Sequence, residues 1–351
     1  MLGSKKAFSI IELLVVIVII GILATLIIAG YGFVTGDAIK QSIQNDLTNA
    51  AEQLDVFNFQ NKKYPATINC AIPNSTTNLC IKVGSNSTLD YSVDSAANPQ
   101  GFCFSSGIGS VKYYILDKNT RNTMTGGCVI QTGLVLNLDA NNSTSYSGSG
   151  TTWTDLSSSG NNATLFGSPT YISTSPSSVY FFEPCCKYAR VTSLEANYPT
   201  NSTISMWLKL SNNSTDYQAI LDGYRTNNGH IFVRSTSTNA NLQIAFQSTT
   251  LTTYPYVYTW TSSTKNQWFN LVITADVTNL TGKVYVNSTQ LNSGTITESN
   301  WTPSGQILTF MSQTGQLPAT GNLAEVQIYN RVLNQTEITQ NFNTQRVRYE
   351  I

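Results

Sequence analysis

Histidine is almost missing from this chain. His230 is the single one among 351 residues, at the start of what reads as a strand, so a Ser-His-Asp device or a His-ligated metal would hang on one side chain. Charge is scarce as well. Lys and Arg number 19, Asp and Glu 19, and charged residues make up 11% at net zero, which argues against a nucleic-acid partner or an acidic partner surface. The acids are also dispersed: Glu183, Glu195, Glu298 and Glu325 stand alone in sequence. Retaining glycoside hydrolysis needs two carboxyl groups about 5 to 5.5 Å apart, and no closely spaced acidic string supplies them. Beyond Gly133 no helical period recurs until the C-terminal end.

What is present begins with Lys5 and Lys6, followed by an apolar run from Phe8 to about Ala29. That length matches the roughly 20 residues a helix needs to cross a bilayer, with the lysines on the cytoplasmic side. Glu12 breaks the run. An acid at that depth costs on the order of 2.5 to 3.5 kcal/mol on insertion scales, so it calls for a function and a partner. A secretory signal peptide would have a shorter apolar core, and a simple anchor has no use for Glu12.

The string Lys5-Lys6-Ala7-Phe8-Ser9-Ile10-Ile11-Glu12-Leu13-Leu14 resembles the class III signal of type IV pilins and pseudopilins. The resemblance implies cleavage by prepilin peptidase between Ala7 and Phe8, N-methylation of Phe8, and Glu12 as the fifth mature residue, paired with the free amine of a neighbouring subunit. Gly21 falls where many members carry a helix-loosening glycine. Ala7 replaces the family's usual glycine, and Ala29 stands where many members have proline; Gly30 and Gly32 offer a similar softening.

After the span, Ile39, Ile43, Leu47, Ala50, Leu54 and Phe57 recur three to four apart, which predicts an amphipathic continuation of the same helix. Pro65 holds Tyr64 extended and ends it. Strands are expected around residues 101–105 and 111–117. Six cysteines behind a membrane signal indicate an oxidising compartment. Of the three pairings that Cys70, Cys80, Cys103 and Cys128 allow, we expect Cys70 with Cys80 and Cys103 with Cys128, although sequence does not separate them. The adjacent Cys185 and Cys186 are compatible with a strained ring, an interchain bridge or free thiols; a metal site lacks further ligands at suitable spacing.

From Gly133 onward, short runs rich in Thr, Tyr and Val alternate with Ser/Asn/Gly turns, the pattern of a sandwich or jelly roll. Leu134 to Ala140, Trp153 to Leu156, Ile204 to Leu208, Trp268 to Val272, Gly282 to Asn287 and Ala324 to Leu333 occur in an order that resembles the concanavalin A-like, laminin-G-like jelly roll. The pattern departs at Pro184-Cys185-Cys186-Lys187, where relatives often have an Asp-rich turn. The expected fold is an α+β pilin module, a long N-terminal helix plus a small antiparallel sheet, followed by an all-β jelly-roll sandwich. Its parts are a leader 1–7, a core helix 8–30, a pilin head 31–130 and a jelly roll 131–351.

For ligand binding the candidates are Tyr254, Tyr256, Tyr258 and Trp260, four aromatics at every second residue that share one face if extended. They would offer a stacking platform for sugar rings or else face the core; Pro255 favours an edge strand. Trp153, Trp207 and Trp268 read as core. Calcium accompanies the family, and Asp139, Asp155 and Asp222 are its candidate ligands near strand ends. The expected protein is not an enzyme but a pilin-like subunit with a glycan-binding, adhesive head. It would start as a membrane precursor, then assemble with other pilin subunits at the cell surface. Its rivals are a purely structural main pilin and a type II secretion pseudopilin.

Overall fold

A computed structural model describes residues 10–93, 102–109, 111–116, 123–125, 127–182, 187–194, 198–211, 218–224, 230–235, 241–247, 256–259, 266–295, 307–312 and 317–351. The chain opens with α1 (Ile10–Asn61), 52 residues that run unbroken through Gly30 and Gly32. Its two halves differ as their side chains dictate. Ile10 to Ile20 carry apolar side chains 46% to 83% exposed where described, whereas Ile43, Leu47, Ala50 and Leu54 are fully buried. Among the described residues no helix is long and apolar enough to cross a membrane; the expected span includes positions outside them. Lys62 takes a left-handed conformation and ends the helix just before Pro65.

The buried stripe of α1 packs against a small head. Two short strands, β1 (Thr67–Ile68) and β2 (Asn78–Leu79), pair in parallel beside the bond from Cys70 to Cys80. Next come β3 (Thr88–Val93), β4 (Phe102–Ile108), β5 (Val111–Leu116) and β6 (Met124–Thr125), an antiparallel sheet in that order. Phe102, Phe104 and Ile115 from this sheet meet Ile43, Leu47 and Leu54 of the helix in one core. Burying each such side chain contributes about 1.5 to 3 kcal/mol.

The sandwich contains β7 (Leu134–Asp139), β8 (Thr152–Trp153), β9 (Ala163–Phe166), β10 (Thr170–Ile172), β11 (Ser178–Phe181), β12 (Tyr188–Val191), β13 (Ser202–Leu210) and β14 (Gln218–Tyr224). It continues with β15 (His230–Ser235), β16 (Asn241–Gln247), β17 (Tyr256–Thr259), β18 (Phe269–Asp276), β19 (Thr281–Val286), β20 (Thr289–Thr295), β21 (Ile307–Phe310) and β22 (Gly321–Tyr329). These form two eight-stranded sheets. The head-side sheet runs β10-β11-β22-β13-β18-β19-β20 with β7 also on β22, and the far sheet runs β17-β16-β15-β14-β21-β12-β9-β8. Leu136, Ile204, Met206, Ile273 and Val326 from the first meet Leu165, Val191, Leu221, Val233 and Phe310 from the second in the central core. Gly133 opens the sandwich at φ +78°, and a Cβ there would stand 2.6 Å from Asn330 Oδ1, so only glycine fits.

Helix α2 (Gln335–Gln345) and a 3-10 turn (Arg346–Tyr349) cover the outer face of the head-side sheet. Asn334 caps α2 in a reciprocal box with Glu337, which also takes a two-pronged bond from Arg331 at 2.8 and 2.9 Å. The cover explains why β13 is buried on both faces. Trp207 points away from the core, yet Tyr349 stacks on it at 3.9 Å and Gln345 Oε1 accepts its ring N–H at 2.9 Å. Trp153 is fully buried and Trp268 is partly buried beside the Trp207 cluster.

Candidate functional site

Two polar constellations are built into the sandwich, and their chemistry differs. The first lies between the head and the head-side sheet. Arg348 donates to Asp139 at 3.0 Å and to the Tyr114 hydroxyl at 3.2 Å, and it pairs with Glu325. Tyr349 and Gln345 also donate to Glu325. Tyr114 comes from β5, Asp139 from β7 and Glu325 from β22, so one guanidinium ties the head to two adjacent strands of the sandwich. Burial pushes the Glu325 carboxyl above its usual range despite the attraction of Arg348, and the Asp139 charge pushes the same way. The disulfide from Cys103 to Cys128 closes the same junction, next to Tyr114 and Leu156. Asn341 Oδ1 accepts from Ile130 N at 2.8 Å, and Thr344 O from Gly127 N at 3.1 Å, so α2 also grips the connecting segment. Every polar group named here has a partner, the arrangement of a structural joint.

The second constellation lies on the outer face of the far sheet. Register pairs Thr164 with Arg190, Arg190 with Thr309, and Thr309 with Asp222, a row across β9, β12, β21 and β14. Each position alternates with a core residue, Leu165, Ala189, Leu308 or Leu221, so the row faces outward. In the next row Tyr188 pairs with Phe166, and their rings stack at 4.6 Å and 15°. Burial grades along the first row: Thr164 is exposed, Arg190 half-buried, and Thr309 and Asp222 fully buried. Both Asp222 oxygens and the Thr309 hydroxyl lack a partner. Burial alone pushes the Asp222 carboxyl up to about 7.

The three candidate metal ligands do not converge. Asp139 is held by Arg348, and Asp155 folds its own turn by accepting from Asn137 N, Ser157 N, Ser157 Oγ and Asn161 N at 2.6 to 2.8 Å. Among the described residues no group of three or more His, Cys, Asp or Glu could hold a metal ion. Of the aromatic row, Tyr254 and Trp260 lie outside the described residues, as do Ala7, Phe8, Cys185 and Cys186. Tyr256 and Tyr258 lie on β17, an edge strand, opposite Ile244 and Leu242, whose side chains are in the core. Glu12 lies in the opening turns of α1. The sequence reading missed the Phe166–Tyr188 pair, the Thr309–Asp222 pairing and Arg348. A lone acid within the apolar string Leu323-Ala324-Glu325-Val326 was the available signal for the joint.

Residues 2–28 match the prokaryotic N-terminal methylation motif, and residues 187–339 match the concanavalin A-like lectin/glucanases superfamily. The chain joins a prepilin-type N terminus to a concanavalin A-like domain. Two curated relatives are type II secretion system core protein G from Klebsiella michiganensis, 34% identical over 64 residues, and from Dickeya chrysanthemi, 35% identical over 63 residues. Each match covers 18% of this chain and 45% or 41% of the relative, so the chain spans less than half the length of either. Among solved structures, the binding domain of botulinum neurotoxin DC in complex with SialylT is similar at TM-score 0.48 and 18% identity, over 60% of this chain and 51% of that one. Domain 4 of AbnA, an extracellular arabinanase from Geobacillus stearothermophilus, in complex with arabinotriose, is similar at TM-score 0.43 and 17% identity, over 59% of this chain and 97% of that one.

Proposed function

We propose that the protein is a pilin-like filament subunit that displays a non-enzymatic, carbohydrate-binding head at the cell surface. The single observation that carries this is the joining of a methylation motif at residues 2–28 to a lectin-like domain through a buried joint centred on Arg348. In this reading the precursor sits in the cytoplasmic membrane, cleavage between Ala7 and Phe8 frees an amine, and Glu12 neutralises that amine on a neighbouring subunit. The exposed apolar side chains from Ile10 to Ile20 then pack against other pilin subunits. The working partition is leader 1–7, core helix 8–30, head 31–130 and sandwich 131–351.

We place the ligand face on the outer side of the far sheet. The head-side sheet is covered by α2 and the head, and the register of β17 sets Tyr256 and Tyr258 opposite core positions. The test is binding of the chain lacking residues 1–35 to a broad polysaccharide panel, with and without calcium. Saturable binding supports the reading, and its absence under both conditions leaves a structural head.

The core protein G relatives favour a second reading, a secretion pseudopilin whose head touches cargo. Recovery of the protein in long sheared filaments supports the first reading; confinement to a short periplasmic assembly supports the second.

A further inference from the structure

The far sheet leaves an unfinished polar site. Asp222 and Thr309 are 0% exposed, yet three oxygens between them have no hydrogen-bond partner. Buried polar groups are almost always paired, and leaving one unpaired forfeits its hydration with nothing in return. The site therefore lacks donors for two carboxyl oxygens and a partner for one hydroxyl. A hard cation needs six to eight oxygens. One carboxyl and one hydroxyl in the middle of paired strands fall well short of that. Two hydroxyls on adjacent carbons fit better, since each can donate to one Asp222 oxygen while one of them accepts from Thr309.

An apolar platform for the rest of such a ligand lies three strands away. Phe166, 37% exposed, stacks on Tyr188, and the flat rings suit the C–H face of a sugar. Between platform and floor runs the row Thr164–Arg190–Thr309–Asp222. At about 4.8 Å per strand the row spans roughly 14 Å, the reach of a short oligosaccharide and more than that of a single ring. Its exposure falls from Thr164 on β9 to Arg190 on β12 and is nil at Thr309 and Asp222.

We propose that this face is an extended polysaccharide subsite, in which one sugar stacks on Phe166 and Tyr188 and a vicinal diol two or three units along is held by Asp222 and Thr309. It rests on the carbohydrate-binding reading and adds to it the ligand's chemistry and length. Asp222 and Thr309 are fully buried in the ligand-free structure, so a ligand reaches them only on rearrangement of this face, and association is slower than the 10⁵ to 10⁷ M⁻¹s⁻¹ usual for unhindered docking.

The experiment uses the full chain in detergent micelles, with soluble arabinan, galactan, mannan and dextran as probes. Each probe is also offered after periodate cleavage of its diols. The polysaccharide that wild type binds is then tested against Asp222→Asn, Thr309→Val and Tyr188→Ala, each checked for native circular dichroism. The expected result is at least tenfold weaker binding for Asp222→Asn and Tyr188→Ala, loss of binding to the periodate-treated probe, and at least tenfold tighter binding of a trisaccharide than a monosaccharide. Tyr188 is surface-accessible, so its variant remains informative if a floor variant fails to fold. Wild-type binding that survives both periodate and these variants would overturn the subsite and leave the carbohydrate reading standing. No binding to any of the four probes would overturn both.

Discussion

Replacing Arg348 with alanine tests the joint directly. The Arg348 side chain is 6% exposed, and its removal strands the side chains of Asp139 and Glu325, 4% and 3% exposed, beside each other without a cation. Breaking a buried ion pair by removing one partner costs about 3 to 5 kcal/mol. The loss depends on pH with a definite sign. Glu325 is already raised by burial, and losing Arg348 raises it further, so at pH 5.5 it escapes by staying protonated and the cost lies near 3 kcal/mol; at pH 8.5 the charge must be buried or the joint opened, and the cost approaches 5 kcal/mol. The assay is urea unfolding of the chain lacking residues 1–35, read from tryptophan fluorescence, since Trp207 stacks on Tyr349 beside Arg348. With a slope of about 3 kcal/mol per molar urea the midpoint drops by about 1 M or more. Arg346→Ala is the control, because Arg346 is exposed and its side chain, among the described residues, bonds the Ile351 carbonyl alone. A shift below about 0.3 M at both pH values, or one equal to the control, would show that the buried cluster does not hold the joint.

Asp222 titrates in the same direction. Its folded value is raised above the ordinary 3.8 to about 7, so its contribution to stability is present below 3.8 and lost as pH rises through 7, by up to about 4 kcal/mol. Calorimetry should show wild type melting lower at pH 8 than at pH 5, with a smaller drop in Asp222→Asn; an equal drop removes Asp222 as the cause. The bond from Cys103 to Cys128 closes a 25-residue loop, and Cys103→Ser with Cys128→Ser should cost about 3.5 kcal/mol in urea unfolding by the chain-entropy relation; no loss would mean that the joint holds without it. Glu12→Ala should disappear from sheared filaments while remaining in the membrane fraction, and normal incorporation would refute the charge-pairing role. Asn334→Ala removes the side-chain half of the cap on α2, the oxygen that accepts from Glu337 N, and should lower stability by about 1 kcal/mol, measured by the same urea titration.

The pilin half was legible because its signals are local. A helical stripe from Ile39 to Phe57 can be read within one segment, and Ile43, Leu47, Ala50 and Leu54 were found fully buried. Strand positions in the sandwich could be read for the same reason, as with Leu134 to Asp139 and Leu323 to Tyr329. Facing could not. Trp207 lies between the core residues Met206 and Leu208 and turns outward onto Tyr349, 142 positions later, so no window of sequence contains both. The aromatics from Tyr254 to Trp260 alternate clearly in sequence, but the register that sets Tyr256 opposite Ile244 and Tyr258 opposite Leu242 comes from pairing with β16. Thr309 and Asp222 meet only because β21 inserts beside β14.

Four acids are buried among the described residues of the sandwich: Asp139, Asp155, Asp222 and Glu325. Three are closed by the chain itself. Asp155 takes four bonds from its own turn and from Asn137, while Asp139 and Glu325 share Arg348, Tyr114, Tyr349 and Gln345. The same chain that spends a C-terminal helix and an arginine on two acids leaves Asp222 buried without a partner, in the middle of a sheet, beside an equally unpartnered hydroxyl. Had Asp222 only to fill space, an isosteric apolar or amide residue would avoid the desolvation cost. Local rules that hold at three of the four buried acids and fail at Asp222 are what the proposed subsite accounts for. On the proposed reading the partner that completes it comes from outside the chain, on the outer face of the far sheet and away from the joint.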